Sequence, residues 1–170
     1  MKKAILATAM ASALMGSASV ALADGYVGLD YQGYTYSASG VGDLKPSAMG
    51  VRLGSSLGQY AKVEARLGTG VQDDFNKDNT NLYITNLAGF YVKGGMDVMN
   101  IVFPYAIVGV SKYDMTSDEK TSYVTEDSVS YGVGADVHYK HFQVGIEWMQ
   151  VEHSAKYNLD ALTVSYAYIF

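Results

Sequence analysis

Alternation of large apolar residues with small or polar ones is the dominant pattern of this chain. It is clearest at 162–170, where Thr163, Ser165 and Ala167 form one face and large side chains form the other. A period of two is typical of a β-strand whose faces meet different surroundings. The large face becomes aromatic towards its end, as in a strand that faces lipid and ends in a membrane interface. That face consists of Leu162, Val164, Tyr166, Tyr168 and Phe170.

The same alternation predicts seven earlier strands. Large apolar residues compete for both faces of two of these strands, at 80–93 and 101–113, so their register stays open. The predicted strands cover about 26–36, 46–55, 59–71, 80–93, 101–113, 131–139 and 142–148.

The sixth and seventh predicted strands form a hairpin. A two-residue connection, Lys140-His141, pairs Tyr139 with Phe142 and thereby aligns both apolar faces. Tyr131 and Tyr139 lie about 26 Å apart along the strand, or roughly 20 Å in height when tilted, close to the ~25 Å apolar band of a membrane barrel. The predicted aromatic girdle consists of Tyr31, Tyr131, Tyr139 and Trp148.

Charged residues occupy the face opposite the apolar one. Lys62, Glu64 and Arg66 share a face, and a cation facing mid-membrane lipid costs roughly 2–4 kcal/mol, so we expect this face to line the lumen. Counting back from the turn at Leu57 pairs Arg52 with Glu64. A paired structural core is favoured over a gated polar path, because side chains fill an eight-stranded barrel. The predicted lumen charges are Asp30, Arg52, Lys62, Glu64, Arg66, Asp136 and Glu147.

The connections between strands alternate in length. Long polar loops are predicted at 37–45, 72–79, 114–129 and 152–158, and tighter turns connect the remaining strands. This pattern predicts an all-β fold, an eight-stranded antiparallel up-and-down transmembrane β-barrel. Closure also removes every sheet edge, which a membrane requires. A soluble barrel of the lipocalin type would invert the two faces. The aromatic terminus, the tyrosine spacing and an export signal favour the membrane alternative.

The export signal is predicted at residues 1–23, and the barrel domain at 24–170. Lys2 and Lys3 precede an apolar run, and Ala21-Leu22-Ala23 is a small-x-small cleavage site. The alternative, a membrane-anchoring helix, is disfavoured because the run is rich in Ala and Ser and a strand follows at once. Cleavage removes two lysines and changes the net charge from −5 to −7.

Composition excludes several kinds of site. The chain has no cysteine, which excludes disulfides, thiol nucleophiles, Cys-ligated zinc and a lipoprotein anchor. It has no basic patch or nucleic-acid motif. We predict no cofactor and no metal, because His138 and His141 lack ligand-like partners and no calcium-loop motif occurs. Solvated acidic loops are favoured over cation sites at Asp73, Asp74, Asp78, Asp118, Glu119, Glu126 and Asp127.

The terminal strand resembles the last strand of bacterial outer-membrane β-barrels, in which an alternating aromatic strand ending in Phe is read by the barrel-assembly machinery. The mature chain resembles the small opacity/OmpX/OmpA-barrel class along its length, without the periplasmic peptidoglycan-binding domain of full-length OmpA. The resemblance implies a monomer in the outer membrane of a Gram-negative bacterium. It also implies contact with outer-membrane lipids and lipopolysaccharide, and an extracellular ligand bound through the loops.

Three functions fit this class. A structural or surface-interaction (adhesin-like) barrel with a side-chain-filled polar lumen comes first, and a small diffusion pore is the alternative. A lipid A-modifying enzyme is least favoured, although Glu152, His153 and Ser154 have the residue types of acyl transfer. Adjacent strand residues point to opposite faces, so His153 is badly placed to activate Ser154. We therefore expect no enzymatic activity.

Overall fold

A computed structural model describes residues 25–38, 41–72, 74–75, 81–117, 120–153 and 157–170. These residues form β-strands joined by short turns. No helix among them is long and apolar enough to cross a bilayer. The strands are β1 (Gly25–Ala38), β2 (Val41–Leu44), β3 (Ser47–Ser56), β4 (Ala61–Gln72), β5 (Asp74–Phe75), β6 (Asn81–Gly95), β7 (Val102–Ser117), β8 (Lys120–Tyr139), β9 (Phe142–His153) and β10 (Tyr157–Ile169).

The eight long strands close into a barrel. Each pairs antiparallel with its neighbour in the order β10-β9-β8-β7-β6-β4-β3-β1. β1 then pairs with β10 from Tyr26↔Ile169 to Ala38↔Tyr157, which completes the circle. The predicted eight-stranded antiparallel barrel is confirmed. Closure satisfies the backbone hydrogen bonds of the wall, as a membrane requires.

The two ends of the barrel differ. Gly25, Phe170 and the three turns at 57–60, 96–101 and 140–141 lie at one end, here called the turn end. The opposite end is called the loop end. At Lys140-His141 the hairpin has the expected register, Tyr139↔Phe142 and Val137↔Val144. Lys140 adopts a positive φ of 55°, which this tight turn requires.

The prediction of a loop at 114–129 is wrong. β7 and β8 remain paired up to Ser117↔Lys120, because residues such as Tyr123, Val124 and Thr125 favour an extended backbone and the hairpin satisfies it. The described pairing of β8 with β9 stops at Tyr131↔Gln150. A sheet of β6, β7 and β8 therefore extends past that point at the loop end.

The other predicted loops are shorter than expected. β2 pairs with β1, and β5 with β6, inside the loops predicted at 37–45 and 72–79. β9 continues to His153 and β10 begins at Tyr157, within the loop predicted at 152–158. In each case the added pairing satisfies backbone groups that a loop would leave to solvent. The predicted export signal at 1–23 lies outside the described residues.

The structure also resolves the two open registers. On β6, Tyr91 and Lys93 point inwards while Phe90 and Val92 are exposed; on β7, Tyr105 points inwards and its neighbours point out. The outer face is consequently apolar around the barrel. The predicted girdle side chains lie on it, with exposed fractions of 45% for Tyr31, 51% for Tyr131, 70% for Tyr139 and 46% for Trp148.

Ile146→Arg places a cation on the outer face between Phe142 and Trp148. We expect it to lower the free energy of unfolding from a bilayer by roughly 2–4 kcal/mol, the cost of a cation facing lipid. Urea titration in phospholipid vesicles, followed by the fluorescence of Trp148, the single tryptophan, measures this. Met99→Arg is the control, because Met99 lies in a turn and is 87% exposed. Equal stability of the two variants would contradict a lipid-facing β9.

Candidate functional site

The lumen contains eight buried acidic and basic side chains among the described residues. Seven are the predicted lumen charges, and the eighth is Lys93 of β6. Each is at most 6% exposed, and the set comprises four cations and four anions. Buried charges are tolerated when they are paired and hydrogen-bonded, so this balance is what allows the lumen to be charged. The eight are Asp30, Arg52, Lys62, Glu64, Arg66, Lys93, Asp136 and Glu147.

Glu64 of β4 is the centre of the network. Its Oε1 accepts a 2.5 Å hydrogen bond from Nε of Arg66. Its Oε2 accepts from the hydroxyl of Tyr26 at 2.5 Å, and lies 3.4 Å from Nη1 of Arg52 and 3.1 Å from Nζ of Lys93. One carboxylate therefore contacts three cations. The Arg52–Glu64 pair expected from the turn register is among these contacts.

The second arm of the network runs through Arg66 to Glu147 of β9. Nη1 and Nη2 of Arg66 donate to Oε1 and Oε2 of Glu147 at 2.7 and 2.9 Å, a bidentate pair. The hydroxyl of Tyr105 donates to Oε2 at 2.9 Å, and the Arg66 guanidinium lies 4.5 Å from the Tyr91 ring centroid. Bidentate geometry fixes both partners, so β4 and β9 are joined across the barrel.

The third arm approaches the turn end through two lysines. Asp136 Oδ2 lies 3.5 Å from Nζ of Lys93 and 3.9 Å from Nζ of Lys62. Aromatic rings contribute cation–π contacts at 4.4 Å for Lys93 with Tyr105 and 4.3 Å for Lys62 with Phe103. The arm ends where Nζ of Lys62 lies 3.2 Å from Nε2 of His138.

Glycines make room for these inward side chains. A Cβ at Gly54 would collide with the ring of Tyr26, and one at Gly134 would collide with the ring of Tyr105. Both tyrosines donate to network carboxylates, so the glycines leave the space in which the network forms.

On the loop-end side of the charges, the lumen contains a group of mainly apolar side chains beside the buried hydroxyls of Ser111, Ser128 and Ser130. Tyr34 lies on the loop-end side of Asp30 on β1, and Met149 lies on the loop-end side of Glu147 on β9. Leu87 has the same position relative to Lys93 on β6. We call this group the loop-end cluster; its members are at most 5% exposed. It consists of Tyr34, Ala48, Leu87, Tyr113, Met149, Val151, Leu159 and Ala161.

Sequence reasoning missed Lys93 and the inward aromatic residues. Assigning Lys93 to the lumen by the rule used for Lys62 would have set the register of β6 and turned Tyr91 inwards. The aromatic residues Phe103 and Tyr105 carry no such signal, because rings also suit a lipid face.

The remaining predicted sites lie elsewhere. The outward residues of β10 are 43–55% exposed, and Phe142 of β9 stacks on Tyr166 with ring centroids 5.7 Å apart. Ser154 lies outside the described residues, as do Asp73, Asp78, Asp118 and Glu119. Within the described part of the chain, no group of three or more His, Cys, Asp or Glu residues is arranged to hold a metal ion.

Glu64→Ala removes the carboxylate shared by Arg52, Arg66 and Lys93. We expect a loss of about 3–5 kcal/mol in the free energy of unfolding, because the cations stay buried with too few anions. Urea titration in vesicles measures the loss. Asp97→Ala is the control: Asp97 lies at the turn end, 36% exposed and 3.8 Å from His138, so its loss costs about 1 kcal/mol or less. Equal losses would show that the network contributes nothing to stability.

Comparison with known proteins reinforces the architecture. Ail, the attachment invasion locus protein of Yersinia pestis, superposes with a TM-score of 0.65 at 11% identity, covering 88% of this chain and 99% of Ail. Neisserial surface protein A gives 0.57 at 17% identity, covering 86% and 97%. The N-terminal β-barrel domain of Pseudomonas aeruginosa OprF gives 0.56 at 11% identity, covering 84% and 97%. At these identities the likeness shows the fold alone.

The two sequence comparisons give different results. No curated protein sequence matches the chain. The outer membrane protein β-barrel domain family, in contrast, matches residues 4–170. Together with the closed barrel, this match places the protein in the outer membrane of a Gram-negative bacterium. The chain belongs to the outer membrane protein β-barrel domain family.

Proposed function

We propose that this protein is a non-enzymatic surface-interaction barrel, in which a closed lumen holds the scaffold rigid and the loop end contacts other molecules. In such barrels short turns face the periplasm and longer connections face outwards, so the loop end is extracellular. The observation that carries the proposal is the sheet of β6, β7 and β8. It continues to Ser117↔Lys120, whereas the described β8–β9 pairing stops at Tyr131↔Gln150.

A strand that continues beyond its neighbour exposes an edge. Among the described pairings, the backbone of residues 120–130 of β8 pairs with β7 and not with β9. The hydroxyls of Ser128 and Ser130 still donate to the carbonyl of Val151 on β9, so the edge left open lies beyond them, towards the end of the hairpin. An exposed edge is a recognised means of binding an extended segment of a partner. The rigid barrel beneath it lowers the entropy lost on binding.

The charge of the loop end selects the class of partner. Ail has been crystallised with the heparin analogue sucrose octasulfate, a polyanion. Here the loops predicted from the sequence include Asp73, Asp78, Asp118 and Glu119, Asp127 lies on β8 towards the loop end, and the mature chain is acidic. A polyanion would be repelled, so we propose that the partner presents a basic protein surface.

A diffusion pore is the second candidate. It is favoured by buried polar atoms, such as both carboxylate oxygens of Asp136 and Nε2 of Gln143, that make no hydrogen bond among the described residues. A wet lumen would satisfy them. The loop-end cluster opposes conduction, because a closely packed and mainly apolar constriction hinders the passage of water and ions. We therefore propose a lumen that is hydrated locally but closed.

Biogenesis and partners complete the proposal. Residues 1–23 serve as the cleaved export signal, and Leu162, Val164, Tyr166, Tyr168 and Phe170 serve as the signal read by the barrel-assembly machinery. The folded protein is a monomer surrounded by outer-membrane lipids and lipopolysaccharide. It needs no metal or cofactor, and Glu152, His153 and Ser154 have no catalytic role.

Shortening the β7–β8 hairpin tests the surface role. Replacing residues 115–124 by Asn-Gly puts a two-residue turn next to the pair Asp114↔Thr125 and so preserves the register below it. We expect cells that display this variant to lose most of their retention on a surface coated with lysozyme, a basic protein. Wild-type cells should be retained there, increasingly as the salt concentration falls, and not on heparin.

A second variant keeps the full length of the β7–β8 hairpin and changes only its charge, so it separates the effect of the hairpin's shape from that of its charge. Asp118→Asn, Glu119→Gln, Glu126→Gln and Asp127→Asn together should weaken retention and abolish its salt dependence. Heat-shifted gel mobility verifies that each variant is folded. Undiminished retention by both folded variants, or stronger retention of wild type on heparin, would refute the proposed basic partner.

A further inference from the structure

One ring nitrogen of His138 has two partners that it cannot satisfy together. Its Nε2 lies 3.2 Å from Nζ of Lys62 on β4 and 3.0 Å from Oε1 of Gln143 on β9. The lysine ammonium group only donates, so it requires a lone pair on Nε2, whereas the amide oxygen only accepts and requires a proton there. The protonation of this ring therefore decides which of the two contacts is a hydrogen bond.

The other ring nitrogen, Nδ1, faces a carboxylate. It lies 3.8 Å from Oδ1 of Asp97 in the turn at 96–101, and the backbone N–H of His138 donates to the carbonyl of Ile101 in the same turn. A proton on Nδ1 suits that carboxylate, so a further proton on Nε2 makes the ring a cation. The side chain of His138 is 18% exposed, which lets it exchange protons with the solution at the turn end.

A second acceptor is available to Lys62. Its Nζ lies 3.9 Å from Oδ2 of Asp136, and neither carboxylate oxygen of Asp136 makes a hydrogen bond among the described residues. A movement of about 1 Å by the lysine side chain would turn this ion pair into a hydrogen bond. The charged groups that act on the His138 ring are Lys62 on β4, Asp97 in the turn and Asp136 on β8, while Lys93 of β6 lies behind them, 3.5 Å from Asp136.

We propose that His138 is a proton-operated switch at the turn end. With a neutral ring, Lys62 donates to Nε2. When the ring takes up a proton from the solution, Nε2 donates to Gln143, the repelled Lys62 moves to Asp136, and Asp97 draws its turn towards the cationic ring. The switch does not depend on which side of the membrane the turn end faces. In the orientation of the proposed function, it responds to the acidity of the periplasm.

NMR of the ring nitrogens tests the first half of the switch, because their shifts distinguish the two neutral tautomers from the charged ring. The protein in nanodiscs is titrated from about pH 8 to about pH 5, the range in which imidazole changes its charge. His138→Gln identifies the signals of His138 among the three histidines. We expect the neutral ring to carry its proton on Nδ1. A neutral ring protonated on Nε2 would overturn the contact with Lys62.

Three substitutions test the charges around the ring. Lys62→Met should raise the midpoint of the His138 titration by about one pH unit, and Asp97→Asn should lower it. Lys140→Met is the matched control: the same change at the turn end, where the lysine lies over the ring of Tyr139 instead. Heat-shifted gel mobility verifies folding, and Asp97→Asn decides the question alone if Lys62→Met does not fold. Shifts no larger than that of Lys140→Met would overturn the switch.

A spin label tests the movement of the turn. The chain has no cysteine, and Met99 of this turn is 87% exposed, so Met99→Cys attaches a single label there. We expect the label to become less mobile as the pH falls through the His138 midpoint, and to keep the same mobility when Asp97→Asn is also present. Mobility that does not change with pH in either protein would overturn the coupling of the ring to the turn.

Discussion

Charged side chains cannot face the hydrocarbon core of a bilayer, and the rest of this structure depends on that constraint. The alternating strands direct Lys62, Glu64 and Arg66 inwards, into a lumen too narrow to hydrate them as bulk water would. Inside, each charge must find a partner. Equal numbers of buried cations and anions, arranged around the carboxylate of Glu64, satisfy this requirement among the described residues.

In the proposed function, the same constraint leaves recognition to surfaces outside the lumen. A network that ties β4 to β9 through Arg66 and Glu147 makes the wall rigid, and the loop-end cluster separates it from the outside. On this proposal, the outer face and the loop end are the surfaces available to other molecules. The apolar outer face contacts the bilayer, whereas the extended sheet of β6, β7 and β8 is an individual feature of this chain.

The sequence predicted the barrel, its strand number and most of its lumen charges, because alternation and the cost of a lipid-facing charge act on each strand separately. The position of Lys93 in the lumen was not predicted, because large residues on both faces of β6 obscured the period of two. The inward rings of Phe103 and Tyr105 depend on space left by glycines on other strands, which no single strand reveals. The length of β7 and β8 was not predicted either. Polar residues are compatible both with a solvent-exposed hairpin and with a loop, so their sequence does not distinguish the two.

Single-channel conductance of the purified, folded protein in a planar bilayer tests the closed lumen most directly. The paired charges and the loop-end cluster predict no current steps from protein whose folding is verified by heat-shifted gel mobility. An open porin in the same bilayer verifies that steps are detectable. Reproducible steps from this protein, altered when Arg52 or Glu64 is replaced by Ala, would contradict the closed lumen and make the protein a pore.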